Sequence, residues 1–238
     1  MDKLGHVHPD VATSYNNLGG VYKSKGEYEK GIECHMKALK IKQAKLGDNH
    51  RDVASSYNNL ANIYYLRGEF KHANESYMKA LKIVQSQLGA DHPDLATIYN
   101  NLGLICYKKG EPDQSIEYYK KALEITQHKL VPQNYDVADF FNNLGLAYEA
   151  NGDYNQAIIY YEKALEKWLE KLGPEEDQIA NPNNNLGVAH FKKGDYSNAI
   201  KSYAKALKIR LGKLGPDHPC TATSYNNLGE AHFKKKEF

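Results

Sequence analysis

Apolar residues near the start of the chain recur every three or four positions, which is the spacing of one face of an α-helix. The sequence predicts a first helix from Asp10 to about Ser24. Pro9 and Asp10 suit its first turn, because the N–H that proline lacks would have no partner there and a carboxylate favours the positive end of the helix dipole. The apolar face of this helix is formed by Val11, Tyr15, Leu18, Gly19 and Tyr22.

A second stretch with the same periodicity follows after a short break. Gly26 can adopt the left-handed conformation that often ends a helix, so the first helix should stop there. The second helix is predicted from about Tyr28 to Lys45. Its apolar face is formed by Tyr28, Ile32, His35, Ala38, Leu39 and Leu46. The two helices, with the loop 46–50 after them, make one helical hairpin.

The whole pattern returns at a step of 42 residues without insertion or deletion, which is the signature of a repeat array. Each copy carries the sequence Asn-Asn-Leu, beginning at Asn16, Asn58, Asn100, Asn142, Asn184 and Asn226. Small residues recur where the helices must approach most closely. In the first helix these are Gly19, Ala61, Gly103, Gly145, Gly187 and Gly229. We expect most of the 19 tyrosines to fill the core around these crossings.

We therefore expect an all-α solenoid of helix-turn-helix repeats, forming a single array over residues 1–238. It should contain five full repeats and a final first helix. The predicted repeats lie near residues 8–47, 50–89, 92–131, 134–173 and 176–215, with a partial copy at 218–238.

Composition narrows the possible functions. A net charge of +2 gives no general attraction to nucleic acid or to an acidic membrane. No apolar run approaches the roughly 20 residues that a membrane helix needs, and the N-terminus lacks the apolar core of a secretory signal. Cys34, Cys106 and Cys220 lack metal-ligand spacing. We expect them to be small buried thiols in a reducing, cytoplasmic protein.

The order of residues within one copy resembles the tetratricopeptide repeat. The matching positions are Tyr15, Leu18, Gly19, Tyr22, Gly26, Tyr28, Gly31, His35, Ala38 and Leu39. The longer step, the Asn-Asn-Leu signature and the Leu-Gly-x-Asp-His-Pro loops at 88–93 and 214–219 resemble the kinesin light chain-like subfamily. The resemblance implies a right-handed superhelix whose first helices line a concave groove for peptides or partner proteins. It implies a non-catalytic adaptor or scaffold.

Helix geometry, at about 100° per residue, places candidate groove residues opposite the apolar face of each first helix. In the first copy these are Thr13, Asn17, Gly20 and Ser24, with Asn16 on the flank. Translation along the chain gives the predicted peptide-binding residues Asn17, Asn59, Asn62, Asn100, Asn101, Leu104, Lys108, Asn142, Asn143, Leu146, Asn185, Val188, Lys192 and Asn227.

The repeated asparagines allow two interpretations. An asparagine amide offers both a donor and an acceptor, so a row of them could hold an extended peptide backbone. Alternatively, the pairs could bond between neighbouring helices and stiffen the stack, and Asn16 and Asn17 could divide the two roles. Apolar and basic neighbours favour a peptide with an apolar or aromatic anchor and nearby acidic residues. These neighbours are Leu104, Leu146, Val188, Lys108, Lys192 and Lys234.

Other functions are disfavoured. A clamp for a C-terminal carboxylate would carry Lys at the Asn16 position and Arg in the groove rows, and neither is present. There is no His-Glu-x-x-His, no phosphate-binding glycine loop and no nucleophile elbow, so we expect no enzyme, no cofactor and no metal site. One loop position carries a histidine in several copies, which predicts a structural contact, at His8, His50, His92 and His218. Without a basic stripe, nucleic acid is not expected as a ligand.

Two departures mark irregular places in the array. The loop 130–135 lacks the Asp-His-Pro sequence. Pro182 does not fit inside a helix, so we expect the fifth first helix to start there and to be less protected around Asn181. Asn183 replaces the aromatic residue of the other copies, which is Tyr15, Tyr57, Tyr99, Phe141 or Tyr225. Phe238 stands where a sixth second helix would begin, so we expect either a fragment of a longer protein or an end that packs on another copy. The alternative to groove binding is a structural or self-associating scaffold that uses the array ends or the convex face.

Overall fold

The computed structural model describes residues 9–128, 137–172 and 177–237. These residues form eleven α-helices and one short 3-10 helix, and they include no β-strand. The fold is an all-α solenoid of helix-turn-helix repeats, as the periodicity predicts. The predicted loop at 130–135 and the repeat boundaries at 8, 131, 134, 173 and 176 lie outside the described residues.

The described residues divide into two compact units. The first unit takes those of Met1–Lys109 and Glu124–Leu130, and the second takes those of Gly110–Leu123 and Val131–Phe238. The first unit contains α1 (Pro9–Ser24), α2 (Tyr28–Leu46), α3 (Arg51–Leu66), α4 (Phe70–Leu88) and α5 (Asp94–Lys109). Residues of α6 (Pro112–His128) belong to both units. The second unit contains α7 (Val137–Ala150), α8 (Tyr154–Leu172), a 3-10 helix (Asp177–Ile179), α9 (Ala180–Lys193), α10 (Tyr196–Leu214) and α11 (Pro219–Glu237).

Within each unit, consecutive helices pack on one another as hairpins. The turn between α1 and α2 shows why. Gly26 has φ +75°, and the N–H of Glu27 donates to the carbonyl of Tyr22 at 3.0 Å. This left-handed glycine and the bond that spans it satisfy carbonyls that the helix end would otherwise leave unpaired. A similar φ recurs at Gly68, Gly110, Gly152 and Gly194, so the predicted helix stop is confirmed in these five copies.

Small residues lie buried at the helix crossings, as predicted. In the second helices they include Ala38, Ala80, Ala122, Ala164 and Ala206, all without exposed surface. The large side chains that fill the crossings come from the second helix at one repeated position, which is occupied by His35, Tyr77, Tyr119, Tyr161 and Tyr203. The tyrosines of the first helices, by contrast, are mostly only half-buried.

Four residues depart from the predicted burial. Leu18 is exposed because α1 packs on α2 and the described chain includes no earlier helix to cover its other side. Leu46 is exposed as the last residue of α2. Cys220 is exposed because it occupies the polar first-turn position that Asp52 fills in another copy. Gly229, in α11, is the one small crossing residue of the described first helices that is exposed.

The histidine that recurs in the loops caps the helix that follows. The Nδ1 atoms of His50, His92 and His218 accept hydrogen bonds from backbone N–H groups two residues later, at 3.1, 3.2 and 3.2 Å. A capping acceptor satisfies one of the N–H groups that have no partner within the helix. The predicted structural contact is confirmed at these three positions, whereas His8 lies outside the described residues.

The expected start of the fifth first helix at Pro182 is wrong. A 3-10 turn over Asp177–Ile179 leads into α9 at Ala180, two residues before Pro182. Proline is tolerated in a first helical turn, because its missing N–H would have no partner there. Asn183 is buried, and its Nδ2 donates to the carbonyl of Ile179 at 2.8 Å. The predicted lower protection around Asn181 stays a prediction.

Candidate peptide-binding clefts

The repeated asparagines bond to one another from copy to copy. The second asparagine of one copy donates from Nδ2 to Oδ1 of the first asparagine in the preceding copy. Asn59 donates to Asn16 at 2.9 Å in the first unit. In the second unit, the bonds run from Asn185 to Asn142 at 3.2 Å and from Asn227 to Asn184 at 3.0 Å. The structural interpretation of these residues is therefore correct for part of their hydrogen-bonding capacity.

The two asparagines of each Asn-Asn pair play different hydrogen-bonding roles. The first asparagine accepts, whereas the second uses one of the two N–H groups that an amide carries. A second asparagine such as Asn59 retains another N–H and a carbonyl oxygen, and its side chain is only half-buried. Such a group can stiffen the stack and still meet a ligand.

In the first copy, a histidine joins this bond. The Nδ1 atom of His35 lies 2.9 Å from Asn16 Oδ1, and since that oxygen only accepts, Nδ1 must carry the proton. Burial and, to a smaller extent, the nearby charges of Lys23 and Lys42 together lower the pKa of His35 to about 4. His35 is therefore a neutral donor at physiological pH.

The series of bonds is interrupted between the second and third copies. Asn58 Oδ1 is buried, and it has no hydrogen-bond partner among the described residues. Asn101, whose counterparts donate at this place, makes no hydrogen bond there either. Buried polar atoms without partners are uncommon in folded proteins. The Asn101 amide therefore keeps all its hydrogen-bonding groups for a ligand, whereas its counterparts in other copies use one N–H to bond to the preceding copy.

Two clefts open on the first-helix face of the first unit. The larger, of about 640 Å³, is lined by residues that include Asn16, Asn17, Lys23, His35 and Asn59. The smaller, of about 300 Å³, is lined by Lys23, Asn62, Tyr65, Leu66, Tyr77, Asn101 and Leu104. Lys23 contributes to both. The structure thus brings together five predicted groove residues, two in the larger cleft and three in the smaller.

Sequence reasoning missed several residues of these clefts. Lys23 and Tyr65 occupy equivalent positions one step beyond Tyr22 and Tyr64, outside the predicted rows. Tyr77 belongs to a second helix, and its hydroxyl donates to Asn62 Oδ1 at 2.5 Å. Burial raises the pKa of Tyr77, so this hydroxyl keeps its proton. The change from Gly20 to Asn62 in the next copy is the sequence signal that could have indicated this partner.

Predicted groove residues of the second unit are largely engaged with the protein itself. Leu146 and Val188 are half-buried and pack against core residues. Lys192 Nζ lies 2.8 Å from Glu149 Oε1, and the other oxygen of Glu149 accepts from the hydroxyl of Tyr161 at 2.9 Å. Lys192, which is predicted to favour acidic residues of a ligand, is thus paired with Glu149 of the protein itself.

The other predicted positions do not line either of these two clefts. Asn100 and Asn143 are half-buried and engaged in interactions of their own, and Lys108 is exposed away from the lining of both clefts. Lys234 lies with its Nζ 5.7 Å from the ring centre of Phe233. Across the described ranges, no group of three or more His, Cys, Asp or Glu residues could hold a metal ion. No helix in those ranges is long and apolar enough to cross a membrane.

Comparison with known proteins gives the family of this architecture. The sequence profile of the tetratricopeptide repeat matches residues 10–86, 73–128, 136–211 and 178–238. No curated protein matches the chain at a significant level.

Solved structures with the same architecture include BtubC (BKLC) from P. vanneervenii. It is 27% identical with a TM-score of 0.76, over 89% of this chain and 84% of that one. The nearly identical TPR-like repeats of a Podosopora anserina protein assigned to the kinesin light chains are 20% identical, with a TM-score of 0.74, over 87% and 98%. YrrB, a TPR protein with an unusual peptide-binding site, is 20% identical with a TM-score of 0.58, over 89% and 90%. The predicted tetratricopeptide repeat is confirmed, and its kinesin light chain-like form agrees with these neighbours.

Proposed function

The chain belongs to the tetratricopeptide repeat family, and from this premise we propose that it binds a short extended segment of a partner protein in the two clefts of its first unit. Tetratricopeptide arrays serve in general as protein-interaction scaffolds rather than as enzymes. The finer proposal concerns where the segment lies and which groups hold it. YrrB, which shares the fold, is described as having an unusual peptide-binding site, and this supports a peptide as the ligand here.

The observation that carries the proposal is the interruption at Asn58 and Asn101. Elsewhere an asparagine at this place donates to its neighbour, whereas Asn101 makes no hydrogen bond among the described residues and lines the smaller cleft. A peptide backbone carries one N–H and one C=O per residue, and an asparagine amide can pair with both. Asn101 would therefore anchor the segment, with Asn59 offering its remaining N–H beside it.

The chemistry of the ligand follows from the remaining lining. Leu66, Tyr65 and Leu104 give the smaller cleft an apolar wall, which suits an aromatic or branched apolar side chain. Lys23 lines both clefts and supplies a positive charge between them. A segment with one aromatic residue flanked by acidic residues would satisfy both features.

A second candidate function is self-association through α11. Tyr225 and Phe233 on this helix are 49% and 61% exposed, which is unusual for large aromatic side chains. Contiguous exposed apolar surface often marks an interaction site. In this case the chain would act as a scaffold through its end, and the clefts would have no part in it.

Binding of a fluorescein-labelled peptide with one tryptophan between acidic residues tests the first candidate. We expect Asn101→Ala to weaken binding about five- to ten-fold, the effect of one or two hydrogen bonds, and to leave the unfolding midpoint unchanged. Lys23→Ala should weaken binding and flatten its dependence on salt. The control is Asn185→Ala, which loses the bond to Asn142 and should lower stability by about 1 kcal/mol without changing peptide affinity.

The two candidates give different results in the same set of variants. Equal peptide affinity of the wild-type protein and Asn101→Ala, with both folded, would contradict binding in the clefts. Analytical ultracentrifugation of the same proteins tests self-association. A dimer that forms in every variant and disappears in Tyr225→Ala/Phe233→Ala would support the end of the array instead.

A further inference from the structure

One aromatic position of the first helices is lost in a single copy. In three other copies, a lysine of the second helix lies over the aromatic ring at this position. The Nζ atoms of these lysines lie 5.3 to 5.8 Å from the ring centres, in the pairs Lys37 with Tyr15, Lys79 with Tyr57, and Lys163 with Phe141. A cation at this distance from an aromatic face is attracted by it. Each pair forms between a first helix and the second helix that follows.

In the fifth copy, Asn183 stands where the ring should be. Its side chain is turned onto its own helix, where it donates to the carbonyl of Ile179. A pocket of about 290 Å³ opens beside it and is lined by Leu165, Leu169, Ile179, Asn183, Lys205, Lys208 and Ile209. Lys205 is the counterpart of the lysines that cover rings in the other copies.

Part of the lining matches the surroundings of a ring that the chain keeps elsewhere. In the second copy, the counterparts of Lys205 and Leu169 are Lys79 and Gln43, and both contact Tyr57. The pocket therefore holds the cation, the aliphatic walls and the space for a ring, but not the ring itself. Its volume exceeds the roughly 150 Å³ of an engineered apolar cavity that binds benzene.

One end of the pocket differs from the same place in the second and third copies. There a glutamine of the preceding helix meets the tyrosine hydroxyl, with Nε2–Oη distances of 3.4 Å from Gln43 to Tyr57 and 2.9 Å from Gln85 to Tyr99. The counterpart in the pocket is Leu169. A ring hydroxyl at this end would meet an apolar side chain instead of an amide, which disfavours phenol against an unsubstituted phenyl ring.

We propose that this pocket binds the phenyl ring of a phenylalanine side chain supplied by a partner protein, with Lys205 over its face. The partner would restore in trans the aromatic contact that the other copies make within the chain. The site lies in the second unit and uses none of the residues of the clefts in the first unit. The proposal therefore does not depend on the peptide-binding function.

Methyl NMR of the full chain with N-acetyl-phenylalanine amide as the probe tests the proposal. We expect saturable ring-current shifts of the Leu165, Leu169, Ile179 and Ile209 methyl groups, and smaller shifts at equal concentration with N-acetyl-tyrosine amide or N-acetyl-leucine amide. Lys205→Met keeps the aliphatic stem and loses the charge, so it should weaken binding about two- to five-fold. Lys201→Met, on the same helix and outside the pocket, is the matched control and should change nothing.

Two further variants make the result decisive. Asn183→Phe should fill the pocket from within and abolish the shifts. Leu169→Gln, at a side chain that is 42% exposed, introduces the glutamine that meets a tyrosine hydroxyl in the second and third copies, and it should reverse the preference between the phenylalanine and tyrosine probes. Shifts that persist in Asn183→Phe, a preference unchanged in Leu169→Gln, or no saturable shift in the wild-type protein would each overturn the proposal.

Discussion

Gly187 and Gly229 hold the same place in two successive first helices, yet their surroundings are opposite. A methyl group added to Gly187 would lie 2.5 Å from Cδ1 of Tyr203, closer than such atoms can approach. The same group at Gly229 would meet no atom within 4 Å. The first glycine is therefore required by a packed ring, whereas the second belongs to an open face of α11.

This comparison shows that a glycine can recur in the repeat pattern at a position where its usual packing contact is missing. Gly145, which would place a methyl group 2.6 Å from the Tyr161 ring, agrees with Gly187. In the first copy, Gly19 lies against His35 in the same way, with Nε2 at 2.7 Å from the added methyl position. A crossing glycine is thus informative about packing only where a second helix covers it.

The largest change in the free energy of unfolding is expected at the helix crossing that His35 fills. The pKa of His35 is lowered from 6.5 to about 4, so the unfolded chain takes up a proton between these pH values and the folded chain does not. Stability should therefore fall as the pH falls from about 6.5 to 4, by about 3 kcal/mol at the acid end, given 1.36 kcal/mol per pKa unit.

His35→Tyr, which copies the residue of the other crossings, is the matched variant. We expect it to remove this part of the pH dependence while carboxylate effects remain in both proteins. Urea unfolding of both proteins at pH 7 and pH 4.5 measures the difference. An identical loss of stability in the two proteins would show that His35 is not kept neutral by the fold.

A smaller effect is expected when the covered crossing is overfilled. Gly187→Val should lower the free energy of unfolding by about 2 kcal/mol, because the added methyl groups must displace the Tyr203 ring or the backbone. Gly229→Val is the control, and a change of about 0.5 kcal/mol or less is expected there. Thermal or urea unfolding of the two variants side by side measures this contrast. Equal losses at both positions would mean that the open face of α11 is covered in solution.

The smallest expected change is an increase in the free energy of unfolding. Gly229→Ala should raise the free energy of unfolding by about 0.5–1 kcal/mol, because alanine restricts the unfolded chain and favours a helix without meeting any neighbour. The same change at Gly187 should give no gain. A destabilised Gly229→Ala protein would again indicate a partner on α11, and dilution would then distinguish a second copy from any other cause.

The sequence was a strong guide to the fold for a physical reason. A strict 42-residue step puts the same residues in the same environment several times, so Gly26 and its counterparts report one helix end repeatedly. The start of α9 could not be read in this way. The preference of proline for the first position of a helix predicts a start at Pro182. The preceding 3-10 turn instead lets Pro182 lie inside the first turn of α9.

The candidate site was less predictable because it depends on what each side chain pairs with. Helix geometry placed Asn62, Asn101 and Leu104 on one face, and they do line one cleft. Geometry could not show that Glu149 neutralises Lys192, or that Asn101 lacks the partner that Asn59 has. Those facts depend on distances between copies, which a pattern within one copy does not contain.

The bonds between asparagines also bear on how such a chain can grow. Each joins residues 43 positions apart, one more than the repeat step, with the donor always in the later copy and the acceptor in the earlier one. These three junctions are therefore equivalent, whereas the junction of Asn58 and Asn101 lacks the bond. Unequal recombination that adds or deletes a whole copy at the bonded junctions would leave each donor there facing an equivalent acceptor, so the length of the protein can change in a single genetic event without stranding these amides.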